Sequence, residues 1–215
     1  MAVDVTQLRE EYTHDTLEEA DLTAEPMALF NRWLEEATQR GVPEPNAMTL
    51  ATVDAEGQPN ARVVLLKGLD DGGLAFYTNY HSAKGRELAA QPVGALVFWW
   101  ALLQRQVRFQ GRVEQLSREA SKAYFHSRPR GSQLGAVASH QSCVVAGREP
   151  LEARYRQLET RHGDGEIPLP DHWGGYRLVP WSVEFWQGRP SRLHDRLRYR
   201  QPSPGAPWLV ERLEP

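Results

Sequence analysis

The strongest constraint on this chain is a change of hydrophobic period near residue 47. Before that point apolar residues recur at three and four: Leu29, Phe30, Trp33, Leu34 and Ala37 form one stripe. Pro26 opens that helix, where a missing N–H costs nothing, and Gly41 closes it. From residue 47 the period drops to two. Runs at 48–53, 61–67 and 74–78 are separated by Asp54-Ala-Glu-Gly57 and Asp70-Asp-Gly-Gly73, which read as tight turns. Further runs at 93–100 and 105–116 form a second hairpin, and runs at 176–179, 183–187, 192–199 and 208–213 supply the last strands. Helical patterns at 82–90, 117–126, 132–139 and 148–162 are inserted between them. Ser117 is placed as an N-cap, and Leu151, Tyr155 and Leu158 share one helical face. Residues 167–175 read as a Pro/Gly loop. Short strands in hairpins with added helices imply a mainly β, antiparallel barrel or strongly coiled sheet, not a regular βαβ alternation. Residues 1–24 read as an N-terminal arm and residues 25–215 as a single domain.

Composition narrows the function. With 25 Lys and Arg against 28 Asp and Glu, the net charge of −3 argues against binding nucleic acid through the whole surface. One cysteine, Cys143, allows no internal disulfide and suits a reducing compartment. The acidic N-terminus has no apolar core of a signal peptide, and the longest apolar run, 94–103, is too short to span a bilayer. These features imply a cytoplasmic chain with no membrane partner. Seven histidines without metal-ligand spacing, and a lone cysteine, imply no metal site. No nucleophile elbow, P-loop or dinucleotide fingerprint is present.

Four constellations favour an anion. If 192–199 is a strand, Arg192, His194, Arg196 and Arg198 share one face, with Leu193, Asp195, Leu197 and Tyr199 on the other. Such a face suits an anion beside a titratable ring, and equally well a solvated edge strand. Trp186, just upstream, suits a planar ligand or a core. Arg62 and Lys67 flank an apolar run, Val63-Val64-Leu65-Leu66, where a phosphate would satisfy them; snorkelling to water would do the same. Tyr77, Thr78, Ser82 and Lys84 join a strand to a helix start, an anion site or ordinary capping. Tyr124, Arg128, Arg130 and Ser132 surround a helix end, where bidentate arginine and hydroxyls suit a phosphate and a cationic turn suits the helix dipole.

The order and wording of these stretches resemble the pyridoxamine/pyridoxine 5′-phosphate oxidase family. The resemblance runs from Leu8-Arg-Glu-Glu-Tyr12 to the C-terminus. Its most specific parts are Arg62-Val-Val-Leu-Leu-Lys67, Phe76-Tyr-Thr-Asn79, Arg105-Gln-Val107, Tyr124-Phe-His-Ser-Arg-Pro-Arg130, Trp173-Gly-Gly175, Glu184-Phe-Trp-Gln-Gly188 and Arg192-Leu-His-Asp-Arg196. It implies a split β-barrel and a homodimer with FMN at the subunit interface. It implies oxidation of pyridoxamine or pyridoxine 5′-phosphate by O₂ to pyridoxal 5′-phosphate and hydrogen peroxide. Carried over residue by residue, it implies FMN contacts at Arg62, Val63, Val64, Leu65, Leu66, Lys67, Tyr77, Thr78, Lys84, Gln106, Gln141, Ser142, Trp186 and Arg196. Substrate contacts fall on Lys67, Tyr124, Arg128, Ser132, Arg192 and His194, the last two being catalytic. Arg9 and Tyr12 match a segment that closes over the substrate.

One position departs from the pattern. Many members have Ser-Arg-Lys where this chain has Ser82-Ala83-Lys84, and that arginine helps hold the FMN phosphate. Losing one charge-assisted hydrogen bond, worth roughly 1.5–3 kcal/mol, implies FMN affinity lower by about tenfold or more.

Overall fold

The computed structural model describes residues 3–8, 10–70 and 72–215. Nine strands and five α-helices are present among them. The strands are β1 (Ala47–Val53), β2 (Pro59–Leu65), β3 (Gly68–Asp70), β4 (Gly73–Asn79), β5 (Val93–Trp100), β6 (Arg105–Gln115), β7 (Trp173–Gln187), β8 (Asp195–Arg200) and β9 (Leu209–Arg212). The helices are α1 (Pro26–Gln39), α2 (Ala83–Ala90), α3 (Arg118–Ser127), α4 (Arg130–Ala138) and α5 (Arg148–His162). Hydrogen-bonded neighbours follow the order β2-β1-β5-β6-β7-β4-β3, with β8 on β7 and β9 on β8. The mainly β, antiparallel class expected from the alternation is therefore observed. No described helix is long and apolar enough to cross a membrane.

The chain forms two compact units: residues 1–49, 95–111 and 180–215, and residues 50–94 and 112–179. The first unit has an aromatic core. Phe30 of α1 lies 4.9 Å from both Phe98 and Phe109 and stacks on Trp100. Trp33 meets Phe185 edge-on at 5.2 Å. Leu29, Phe30, Trp33 and Ala37 are buried as the helical stripe requires; Leu34, at the stripe's margin, is only half-buried. Arg105 is buried beside this core. It donates to Gln187, to Glu36 of α1 and to Asp15 of the N-terminal segment, and its guanidinium lies 4.4 Å from the Trp33 ring.

The second unit has a smaller core of Phe125, Leu134, Ile167 and Trp173 beneath α3 and α4. Here β4 pairs with the first half of β7, placing Tyr77 opposite Gly175 and Thr78 opposite Gly174. The glycines are required. A Cβ at Gly174 would strike the Tyr80 ring, and one at Gly175 would meet Tyr77 at 2.8 Å.

Several element boundaries differ from the sequence reading. The runs at 176–179 and 183–187 are one strand, β7, because Pro180 sits in it without ending the extended backbone. The expected loop 167–175 gives way to β7 at Trp173. A short strand, β3, pairs antiparallel with β4 and was not expected. The helix placed at 132–139 begins at Arg130, directly after Pro129. The expected strand 192–199 is the largest correction. Pro190–Arg192 form a tight turn, and pairing with β7 starts only at Asp195, opposite Gln187. Arg192 and His194 therefore do not share a strand face with Arg196 and Arg198.

The start of α2 is built as its capping sequence requires. Ser82 Oγ accepts the Gly85 N–H at 3.3 Å and donates to the Asn79 carbonyl at 2.6 Å. Gly85 must be glycine because a Cβ there would collide with the Tyr80 carbonyl. Gly85→Ala is expected to destabilise the protein by about 1–3 kcal/mol through overpacking. Thermal unfolding should show a Tm roughly 2–10 °C lower; an unchanged Tm would contradict this packing.

Candidate active site

In the second unit most of the residues expected to bind ligand line one cavity of about 690 Å³. Val63, Val64 and Leu65 of β2 form one wall, with Lys67 just beyond. Tyr77 and Thr78 come from β4, Lys84 from α2, Tyr124 and Arg128 from the end of α3, Ser132 from α4 and Gln141 from the following loop. Val63 and Leu65 are exposed on this wall, while Leu66, just after β2, is buried. Trp173 completes the lining, in a stack where Tyr77 and Tyr124 lie 3.8 Å apart. Sequence reasoning singled out Trp173 only as a family motif and did not place it in the site. Asn79, Pro129 and Ser139 also line the cavity and carried no separate signal.

Arg128 is the decisive group. Its guanidinium lies 4.8 Å from the Trp173 ring, and its Nη1 is buried without a hydrogen-bond partner. Burial lowers its pKa from the ordinary value, opposed by Tyr124. Burial likewise raises the Tyr124 hydroxyl, opposed by Arg128. Arg128 lines the cavity as a half-buried cation with one donor unmet, an arrangement that an anionic oxygen would satisfy. Lys84 is similar. It is 8% exposed, and its Nζ reaches Gln141 Oε1 at 3.4 Å. Burial lowers its pKa, Arg62 adds to this, and Glu87 opposes it. Gln141 Oε1 also accepts from Thr78 at 3.0 Å.

Other expected contacts are committed elsewhere. Arg62 pairs with Glu87 at 2.8 Å and donates to Thr52 and to the Leu50 carbonyl. Burial alone would raise the Glu87 carboxyl, but hydrogen bonds from Thr52, Asn60 and Arg62 hold it below the usual range. The Arg62 side chain thus braces β2 against α2, and it does not line the cavity. Arg130 donates to the carbonyls of Gly163 and Gly165, so it staples a turn and is not part of the phosphate constellation. Ser142 does not line the cavity either; its φ of 70° marks a sharp turn after Gln141. Arg86 donates to the His81 carbonyl at 2.5 Å, so it does not substitute for the arginine missing at Ala83.

The first unit holds a separate group. Tyr12, Arg189 and Arg192 line a cavity of about 340 Å³ with Glu10, Glu11 and Ser191. His194 packs 4.6 Å from Trp186 and 5.6 Å from Tyr12, and Arg192 lies 5.8 Å from the Tyr12 ring. The segment carrying Tyr12 is tied down. Gln104 Oε1 accepts the His14 N–H at 3.2 Å, Asp15 pairs with Arg105, and Asp195 accepts the Leu17 N–H at 3.1 Å. Arg9 lies outside the described residues. Gln106 is half-buried on β6. Of the cationic face expected from Arg192, His194, Arg196 and Arg198, Arg196 pairs with Glu184 and Arg198 with Glu211, which Arg200 shares. Among the described residues no group of His, Cys, Asp or Glu could hold a metal ion.

Comparison with known proteins follows this geometry. Residues 34–162 match the family model described as pyridoxamine 5′-phosphate oxidase, and residues 173–215 match the pyridoxine 5′-phosphate oxidase C-terminal dimerisation region. A pyridoxine/pyridoxamine 5′-phosphate oxidase of Bordetella petrii is 57% identical over 98% of this chain and 99% of its own. One of Cupriavidus necator is 55% identical with the same coverage. Among solved structures, PhzG from Burkholderia lata, in complex with tetrahydrophenazine-1-carboxylic acid, superposes with a TM-score of 0.87 at 33% identity. That match covers 94% of this chain and 98% of PhzG. A pyridoxamine 5′-phosphate oxidase-related, FMN-binding protein of Nostoc punctiforme gives a TM-score of 0.68 at 18% identity, covering 90% and 100%. The fold is thus the FMN-binding split barrel.

The second unit also carries a titration handle. Burial, then His81, lowers the His172 pKa from its ordinary value; a hydrogen bond to the Ala136 backbone opposes this. The unfolded chain therefore binds a proton that the folded chain excludes, so stability is present above the unfolded pKa and lost as pH falls through it. Thermal stability should fall as pH drops below about 6.5, the ordinary imidazole value, toward the lowered folded-state value. His172→Asn, which keeps a donor near Nδ1, should flatten that slope; an unchanged slope would contradict the assignment.

Proposed function

We propose, from the premise that the chain belongs to the pyridoxine/pyridoxamine 5′-phosphate oxidase family, that it oxidises pyridoxamine or pyridoxine 5′-phosphate with FMN and O₂. The products are pyridoxal 5′-phosphate and hydrogen peroxide, and the enzyme works as a cytoplasmic homodimer. The observation that carries this reading is the buried, unpartnered Nη1 of Arg128 in a cavity also lined by Lys67, Tyr124 and Ser132. That set is what a phosphate monoester needs: two cations and two hydroxyls. The dimerisation region matched at residues 173–215 supports the homodimer.

The cavity residues also fit a flavin. Val63, Val64 and Leu65 offer an apolar wall, and Thr78, Lys84 and Gln141 offer polar groups for its phosphate-bearing chain. Gln106, Ser142, Trp186 and Arg196 are proposed as further contacts, with the backbone of residues 62–67. When bound, FMN would accept a hydride from the substrate carbon and pass the electrons to O₂. The chain's own residues then bind and orient. Lys67, Tyr124, Arg128 and Ser132 hold the substrate phosphate, so that remote binding energy fixes the reacting end. Arg192, always cationic, orients the ring and stabilises developing charge, and His194 contacts the ring beside it. Arg9 and Tyr12 close the substrate in.

A second reading follows from the complex of PhzG with a carboxylic acid: the same cations could hold a carboxylate. Substrate comparison separates the two. Arg128→Met is expected to lower kcat/KM for pyridoxamine 5′-phosphate by about 10–100-fold, the loss of a charged hydrogen bond or two. Activity with unphosphorylated pyridoxamine should barely change. Equal losses on both substrates would contradict a phosphate role for Arg128. For the cofactor, Ala83→Arg is expected to tighten FMN about tenfold or more, through one added charge-assisted hydrogen bond. Flavin fluorescence titration of the apoprotein would show it, and no gain would remove that argument.

A further inference from the structure

His194 sits at the end of a strained turn. Ser191 and Arg192 have φ of 57° and 65°, left-handed values that side-chain-bearing residues rarely adopt. Two ties hold the turn. The Leu193 N–H donates to the Pro190 carbonyl at 3.2 Å, and Arg189 pairs with Asp195 at 3.1 Å. The result is that the backbone N–H of Arg189 donates to Nδ1 of His194 at 3.1 Å.

That bond settles which ring nitrogen carries the proton. A backbone N–H can only donate, so Nδ1 must present its lone pair. A neutral imidazole then carries its hydrogen on Nε2. Protonating Nδ1 would set two N–H groups against each other and break the tie to the turn. The surroundings also disfavour the cation. Burial lowers the His194 pKa from its ordinary value and Arg192 adds to this; Asp195 opposes it. Asp195 is itself shared among Arg189, Arg212 and the Leu17 N–H. The other groups against the ring are Trp186 and the titratable Tyr12, and Glu10 and Glu11 line the neighbouring cavity with Arg192.

We propose that His194 acts as a neutral hydrogen-bond donor through Nε2, set in that tautomer by the Arg189 backbone amide, and not as the base that takes a proton from the substrate. The role toward substrate rests on the oxidase reading above; the tautomer does not. The partner of Nε2–H is an acceptor on the substrate ring, so the residue fixes ring orientation while its lone pair is turned away from the chemistry. Arg189 is then a positioning residue acting through its main chain.

Two measurements test this. Long-range ¹H–¹⁵N NMR of the imidazoles in the FMN-loaded protein at neutral pH should show His194 with Nε2 protonated and Nδ1 bare. The opposite tautomer or a cation would overturn the proposal. In kinetics, His194→Gln places an amide donor near the Nε2 position, whereas His194→Asn places it near Nδ1. The Gln variant is expected to lose no more than about tenfold in kcat/KM and to keep the wild-type form of its pH profile, and the Asn variant to lose about 100-fold or more. Equal large losses in both, with an imidazole limb vanishing from the pH profile, would identify a base and overturn the proposal. A chain inactive on B6 phosphates but showing the Nε2–H tautomer would instead count against the oxidase reading alone.

Discussion

Strand β7 runs fifteen residues without a break, and the site depends on what each half of it pairs with. Along its first half, Gly174 and Gly175 face Thr78 and Tyr77 of β4. Their missing side chains leave room for Tyr80 and Tyr77, and Tyr77 in turn stacks with Tyr124 and Trp173 beneath Arg128. Along its second half, Trp186 faces Arg196 and Gln187 faces Asp195. That register ends the ladder at Asp195, so Arg192 and His194 leave the sheet and enter the turn at Pro190–Arg192. One long extended segment thus carries Trp173 of the cationic cavity at its start and leads at its end into the strained turn before Arg192 and His194.

Carboxylates within the fold answer several of the arginines. Arg62, Arg105, Arg196, Arg198 and Arg212 each find a carboxylate within the fold. A buried ion pair of this kind is weak evidence of net stabilisation, but breaking it leaves a costly lone charge. Arg128 differs, because it lines a cavity and its buried Nη1 has no hydrogen-bond partner. That unmet donor is the ground for proposing the second-unit cavity as the anion site, whereas a count of arginines points equally to several surfaces.

Much of this was legible in the sequence. The α1 stripe, the β1–β2 hairpin, the Ser82 and Ser117 caps and the split-barrel class follow from period, turn chemistry and the family motifs, all short-range signals. What the sequence could not supply were long-range choices. Alternation alone cannot tell a strand from a turn at 192–194, because only the register with β7 decides where pairing begins. Nor can it tell that Glu184 and Glu211 would neutralise Arg196, Arg198 and Arg200 across the sheet. Trp173 was hidden in the same way: its Trp-Gly-Gly context reads as a loop until β4 pairs with it. The ring orientation of His194 depends on an amide five residues upstream, and no pattern of residue types encodes that bond.

The proposed reaction passes electrons from a B6 phosphate to flavin and then to oxygen. The most direct measurement mixes the FMN-loaded protein with pyridoxamine 5′-phosphate under anaerobic conditions, follows the flavin absorption band, and then admits air. The band is expected to bleach on mixing and to return with air, with one peroxide formed per pyridoxal 5′-phosphate. A flavin that stays oxidised with both pyridoxamine and pyridoxine 5′-phosphate would contradict it.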